Sequence, residues 1–222
     1  MVLRNEAGKL EPGYFGFNEA IARFSKFKEP GFDDGKGKDG ERFYKEQASA
    51  SLLAAANAED AINADTRIAG AIAASRIWIN LLSTFEAARL KEVLLGPNGA
   101  AFVRGAANFA AGAYDRGSDQ MTRAINPHGR ISWPLVTYLP FLWEPARHMF
   151  LKPTVTQDFS ERVGLRFHHD YDPAPNAQTY EALLNLVMET GAAIAELKPK
   201  DNIDIQSFIW VVGEYREVDL PA

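Results

Sequence analysis

The spacing of apolar and polar residues predicts a chain that is mainly helical. Alanine-rich stretches with high helix propensity run through its first half, and apolar residues recur there at intervals of three and four. The helices predicted in chain order are 18–27, 41–58, 66–79, one that starts at the capping box 83–86 and ends at Gly96-Pro97, 98–111, 118–126, one that starts at a second capping box at 154–157, and one that starts at Asn176.

The second half contains segments that predict strands. Residues 135–139 and 148–152 are short apolar runs bounded by prolines, and residues 205–212 alternate between two faces. We therefore expect an α+β fold, mainly helical, with a small sheet built from these three segments. An all-α fold is the alternative. Chain length favours one domain over residues 1–222, with a subdomain change near 127 as a second interpretation.

Composition narrows the functional classes. The chain has 222 residues, 46% of them hydrophobic and 24% charged, which is typical of a globular domain with one core. It has no cysteine, which excludes disulfides, thiolate metal sites and cysteine nucleophiles. A net charge of −5 argues against a general nucleic-acid coat. No apolar run is long enough to span a membrane, so we expect a cytoplasmic protein.

Cationic residues in separate segments suggest a site for an anion. Lys152 precedes the predicted helix start at Thr154, where free backbone N–H groups favour negative charge, and His148 lies on the same predicted strand face. Arg42 and Lys45 share one face of a predicted helix. The simpler interpretation of Lys152 and Thr154 is a capped helix start with a solvated lysine. The simpler interpretation of the segment with Arg42 and Lys45 is an exposed helix with an ordinary surface ion pair.

A second group of residues extends this candidate site. Gln206 shares a predicted strand face with Asp204 and Trp210, which is typical either of a binding wall or of a sheet face packed against helices. The predicted ligand-binding set is Arg42, Lys45, His148, Lys152, Thr154 and Gln206.

Histidines provide the alternative chemistry. His168 and Asp170 would lie on one side of a strand and could share a metal, although a third ligand would have to come from elsewhere. His148 is the other candidate for a reactive group. No nucleophile elbow occurs, and the sequence assigns neither catalytic residues nor a cofactor.

Three segments, 132–141, 148–154 and 204–211, together with the region 13–48, resemble a group of stand-alone bacterial proteins that are labelled hypothetical. The group has no established activity, so the resemblance implies no reaction. It supports the interpretation of the chain as one intact unit.

The expected function is that of a cytoplasmic binding protein for an anionic ligand, either a phosphate-bearing small molecule or nucleic acid. The first alternative is a hydrolase or transferase that uses His148 or a metal at His168 and Asp170. The second alternative is a helical partner-binding or structural protein, in which the alanine-rich helices of residues 48–113 form a homodimer face.

Overall fold

A computed structural model describes residues 13, 15–27, 31–32 and 41–215, and this part of the chain is all-helical. Its α-helices are α1 (Gly16–Phe27), α2 (Glu41–Ala55), α3 (Ala58–Ala61), α4 (Thr66–Ala74), α5 (Thr84–Leu95), α6 (Gly99–Ala110), α7 (Tyr114–Ile125), α8 (Trp133–Trp143), α9 (Pro153–Val163), α10 (Phe167–Asp170), α11 (Ala177–Ala193) and α12 (Asn202–Glu214). Short 3-10 helices follow α7 and α11, at Asn126–His128 and Ala195–Leu197.

The predicted sheet is wrong, because none of the described residues forms a strand. Residues 135–139 lie within α8, residues 205–212 lie within α12, and residues 148–152 form a buried extended connection. The alternative, an all-α fold, is the fold of this described part of the chain.

Burial on all sides explains why α8 and α12 were predicted as strands and not as helices. All eleven residues of α8 are buried, as are eleven of the thirteen in α12. A helix enclosed by others needs no polar stripe, so its sequence loses the period of 3.6 that identifies helices. Pro134 lies in the first turn of α8, where its missing N–H leaves no helical bond unmade.

These two helices organise the packing of the others. Helices α2, α5 and α6 pack against α8, whereas α1, α9, α11 and α2 pack against α12. Helix α2 therefore connects the two centres. Helices α6 and α7 form a tight hairpin beside α8.

Several predicted helix boundaries are confirmed. The capping box at the start of α5 is complete, with Ser83 accepting from the Glu86 backbone and Glu86 accepting from the Ser83 backbone. Asn176 caps α11 by accepting from the backbone N–H of Thr179 at 2.8 Å. The helix predicted from 118 starts earlier, so that Ser118 lies inside α7.

Candidate functional site

Arg42 lies against the start of α12, where carboxylates surround its guanidinium. Two nitrogens bond the two carboxylate oxygens of Asp201, at 3.0 and 2.7 Å. The same side chain donates to Asp204 at 2.9 Å and to Glu46 at 2.7 Å. These bonds to Asp201 and Asp204 raise the pKa of Arg42 above its ordinary value. The guanidinium therefore serves as a link between α2 and α12.

Lys45 is completely buried one helical turn further along α2. Its ammonium donates to Glu41 at 2.6 Å, to the amide oxygen of Gln206, and to Ser207 at 3.5 Å. The neighbouring Tyr44 has its pKa raised to about 12, first by burial and second by the charge of Glu41. The bonds of Lys45 cross from α2 to the middle of α12.

We call these residues the α2–α12 cluster: Glu41, Arg42, Lys45, Glu46, Asp201, Asp204 and Gln206. Its two cations meet four carboxylates, so its formal charge is negative. An added anion would have to displace carboxylates from buried or half-buried positions, which leaves unpaired charge behind. The geometry of this cluster is that of a structural ion-pair network.

His148 lies in the core at 1% exposure, and both of its ring nitrogens have partners. Nε2 lies 3.0 Å from the backbone oxygen of Ala110, and Nδ1 lies 3.1 Å from the hydroxyl of Tyr180. That hydroxyl also accepts from the backbone N–H of Met149 at 3.2 Å. The chain of bonds is satisfied by a neutral imidazole that donates from Nε2 and accepts from Tyr180 at Nδ1. Burial lowers the pKa of His148 below its ordinary value, in agreement with that neutral form.

Lys152 and Thr154 do not form the predicted capped start. Helix α9 begins one residue before Thr154, at Pro153, and the N-cap residue is Lys152, which makes no side-chain capping bond. Thr154 is exposed in the first turn, and the Gln157 side chain donates to the backbone oxygen of Pro153 at 3.1 Å. The Lys152 ammonium lies 5.8 Å from the centre of the Trp210 ring on α12. The second predicted capping box is therefore wrong.

His168 and Asp170 lie in the short helix α10 rather than on a strand. Side chains two positions apart on a helix point in different directions, so His168 and Asp170 do not share a face on which both could bind one metal ion. Nδ1 of His168 lies 3.1 Å from the hydroxyl of Ser160, which is fully buried. Within residues 13, 15–27, 31–32 and 41–215, no group of three or more histidines and carboxylates is placed to hold a metal ion.

The predicted set is thus brought together along one helix rather than at one point. Arg42 meets the start of α12, Lys45 meets its middle, and Lys152 lies beside Trp210 nearer its end. From Asp201 to Trp210 the helix extends by about 13 Å. The backbone oxygen of His148 accepts from Asn202 of the same helix at 3.0 Å, while Thr154 is exposed.

A different pair of cations shares a hollow that the sequence analysis missed. The hollow lies between α6 and α7 and has a volume of about 210 Å³. Its lining residues include no carboxylate: Asn98, Ala101, Arg104, Gln120, Arg123 and Ala124. We call this the α6–α7 hollow.

The two arginines of the α6–α7 hollow are held differently. Arg104 is partly buried and donates from Nη1 to the backbone oxygen of Ala64 at 2.6 Å, which anchors its guanidinium. The other N–H groups of the guanidinium are left as donors for a ligand. Arg123 is 81% exposed, and the carboxylate paired with it among the described residues, on Asp119, is 4.0 Å away and also exposed. Such a pair contributes little, because water screens it. One arginine is therefore fixed and the other is available.

Amide groups complete the lining. Asn108 donates to the amide oxygen of Gln120 at 2.8 Å, so the NH₂ group of Gln120 is left as its donor. Asn98 is the N-cap residue of α6 but makes no side-chain capping bond. The first backbone hydrogen bond of that helix runs from the N–H of Phe102 to the Asn98 carbonyl. The backbone N–H of Ala101 comes one residue earlier, in the first turn.

Close packing of α6 on α7 creates this arrangement. A Cβ atom on Gly117 would lie 2.6 Å from the Phe109 nitrogen, and one on Gly105 would lie 2.9 Å from the Met121 nitrogen. The two glycines let the backbones approach, which brings Gln120 and Arg123 to the side of Arg104. A glycine inside each helix was the one sequence signal for this crossing, but it does not reveal which helices pair.

Comparison with known proteins gives this site no precedent: no protein-family model, no curated protein and no solved structure matches the chain. The resemblance to a bacterial group stays a prediction. None of the described helices combines the length and the apolar character that crossing a membrane requires.

Proposed function

We propose that this protein binds a small anionic ligand, and that the α6–α7 hollow is the binding site. The observation that carries the proposal is that Arg104 and Arg123, from different helices, line one hollow without a carboxylate in its wall. Guanidinium groups bond phosphate and carboxylate oxygens with paired donors, which makes such a site selective for these anions.

The α2–α12 cluster does not support binding at the residues that the sequence pointed to. Its cations already bond four carboxylates, whereas Arg104 forms no ion pair with any carboxylate in the described part of the chain. The predicted function is therefore kept and its location is moved. The cytoplasmic location stays a prediction.

Thermal unfolding with and without inorganic phosphate tests the proposal. A ligand at about 100 times its Kd stabilises the folded state by about 2.7 kcal/mol, so phosphate should raise the Tm of the wild-type protein. Phosphate also stabilises proteins by exclusion from their surface, an effect that acts alike on wild type and on surface variants. The deciding quantity is therefore the difference in the rise of Tm between variants, with sodium chloride used to match the ionic strength.

Two arginines of α7 provide the variant and its control. R123Q removes an exposed guanidinium from the hollow, and R116Q removes an exposed guanidinium outside it. We expect R123Q to lose the phosphate-dependent rise in Tm and R116Q to keep it. An equal rise in wild type and R123Q would refute binding in the hollow.

The partner-binding alternative has one observation in its favour. Phe85 is 83% exposed and Leu95 is 65% exposed, and these residues lie near opposite ends of α5. Ten residues of helix place them about 15 Å apart, so a two-fold contact between copies would seat each Phe85 on the Leu95 of the other. Light scattering of wild type and F85S tests this, since a wild-type monomer contradicts it.

The enzyme alternative gains nothing from the geometry. His148 has no solvent access and uses both ring nitrogens inside the core. A reactive group must reach its substrate, which this imidazole cannot do without opening the packing around Tyr180.

A further inference from the structure

The size of the α6–α7 hollow restricts what part of a ligand can enter it. Cavities that enclose drug-sized molecules have about 300–1,000 Å³, and this one has about 210 Å³. It therefore suits one charged group rather than a whole nucleotide. The remainder of a larger ligand would stay outside, beside the exposed side chain of Arg123.

The hollow has more hydrogen-bond donors than a singly charged group with two free oxygens can use. Arg104 has N–H groups beyond the one that Ala64 occupies, Arg123 has its full guanidinium, and Gln120 has its NH₂ group. A phosphate diester presents two unsubstituted oxygens and one negative charge. A phosphate monoester presents three terminal oxygens and a charge near −2 at neutral pH.

The charge balance of the hollow also favours a dianion over a monoanion. Two guanidinium groups line the hollow, and the only carboxylate paired with either of them among the described residues is the exposed Asp119, at 4.0 Å from Arg123. A dianion neutralises both arginines, whereas a monoanion leaves one of them uncompensated. The net charge of the whole chain, −5, disfavours a long polyanion at the same time.

We infer that the α6–α7 hollow recognises the terminal phosphate of a small phosphate monoester. This inference rests on the proposed function and makes it specific: the recognised unit is a dianionic phosphoryl group, and the molecule that carries it is small.

Calorimetric titration with methyl phosphate and dimethyl phosphate tests the inference at constant ionic strength and at a pH of about 8, where the monoester is fully dianionic. The two probes differ by one methyl group and one charge. We expect methyl phosphate to bind at least about tenfold more tightly than dimethyl phosphate. We expect R123Q to abolish most of that preference and R116Q to preserve it.

The outcomes separate this inference from the proposed function. If the two probes bind wild type equally well and R123Q weakens both, the hollow is an anion site but the monoester assignment is wrong. If neither probe binds wild type more tightly than R123Q, the proposed function itself fails and the inference fails with it.

A nucleic-acid end carries the same phosphoryl group, so a further pair of titrations distinguishes the source. The probes are a short single-stranded oligonucleotide with a 5′-phosphate and the same oligonucleotide with a 5′-hydroxyl. We expect both to bind more weakly than methyl phosphate, because the chain is acidic overall. Tighter binding of the 5′-phosphorylated oligonucleotide than of methyl phosphate would overturn the assignment to a small molecule.

Discussion

The α2–α12 cluster and the α6–α7 hollow each contain two cationic side chains, yet their surroundings give them opposite roles. In the cluster, Arg42 and Lys45 face four carboxylates and tie two helices together. In the hollow, Arg104 and Arg123 face amides, alanines and open space. The difference indicates that a cationic residue is a good candidate for an anion site only where no buried carboxylate of the fold pairs with it; the one carboxylate paired with Arg123 among the described residues, on Asp119, is exposed.

The largest effect that this comparison predicts is the loss of stability in K45M. This change removes a buried ammonium together with its hydrogen bonds to Glu41 and Gln206, which should lower the free energy of unfolding by about 2–4 kcal/mol. The exposed lysine change K26M should cost less than about 0.5 kcal/mol. Urea unfolding measures both.

The phosphate response of K45M then separates structure from binding. The variant should keep the phosphate-dependent rise in Tm, because the hollow is built by other helices. A folded K45M that has lost this rise would place the anion at the α2–α12 cluster and contradict our account.

The next largest effect concerns the helix crossing that builds the hollow. G117A introduces a Cβ atom 2.6 Å from the Phe109 nitrogen and should cost about 1–3 kcal/mol, with weaker phosphate binding because the helices must separate. In G70A, a matched change inside α4, the added Cβ meets no atom within 4 Å. That variant should gain about 0.5–1 kcal/mol from better helix propensity. Similar unfolding midpoints for the two variants would show that the crossing is not close.

A smaller effect concerns His148, which the sequence assigned to the anion site and the fold places in the core. Its pKa is lowered in the folded state, so the unfolded chain binds the proton first as the pH falls. The stability that the neutral imidazole contributes is complete above about pH 6.5 and is lost as the pH falls towards the folded-state pKa.

The variant H148Q isolates this contribution from that of the carboxylates. Between about pH 6.5 and 5, the free energy of unfolding of the wild type should fall faster than that of H148Q, by at most about 1.4 kcal/mol per pH unit. Parallel pH profiles would show that His148 is not held neutral by its contacts with Ala110 and Tyr180.

Sequence patterns predicted the amphipathic helices and failed at the enclosed ones. Helices α5 and α11 have capping residues and one apolar face, and the predictions of their starts at Ser83 and Asn176 are confirmed. Helices α8 and α12 have almost no exposed face, so alternation of residue types could not distinguish helix from strand. The sheet was predicted only where this signal was missing.

The candidate site was harder to predict than the helices. The sequence analysis placed Arg42, Lys45 and Gln206 in one predicted site, but it did not show that Asp201 and Asp204 would reach the cations from the start of α12. The hollow depends on the pairing of α6 with α7. That pairing follows from shape at Gly105 and Gly117, which no local pattern encodes.

Nuclear magnetic resonance of the backbone amides during titration with inorganic phosphate, at constant ionic strength, compares the two regions in one experiment. We predict that the largest chemical-shift changes occur at the amides of Ala101 and Gln120, which line the hollow. The amide signals of Lys45 and Gln206 should not shift. Shifts centred on Lys45 and Gln206, with Ala101 and Gln120 unchanged, would contradict the account.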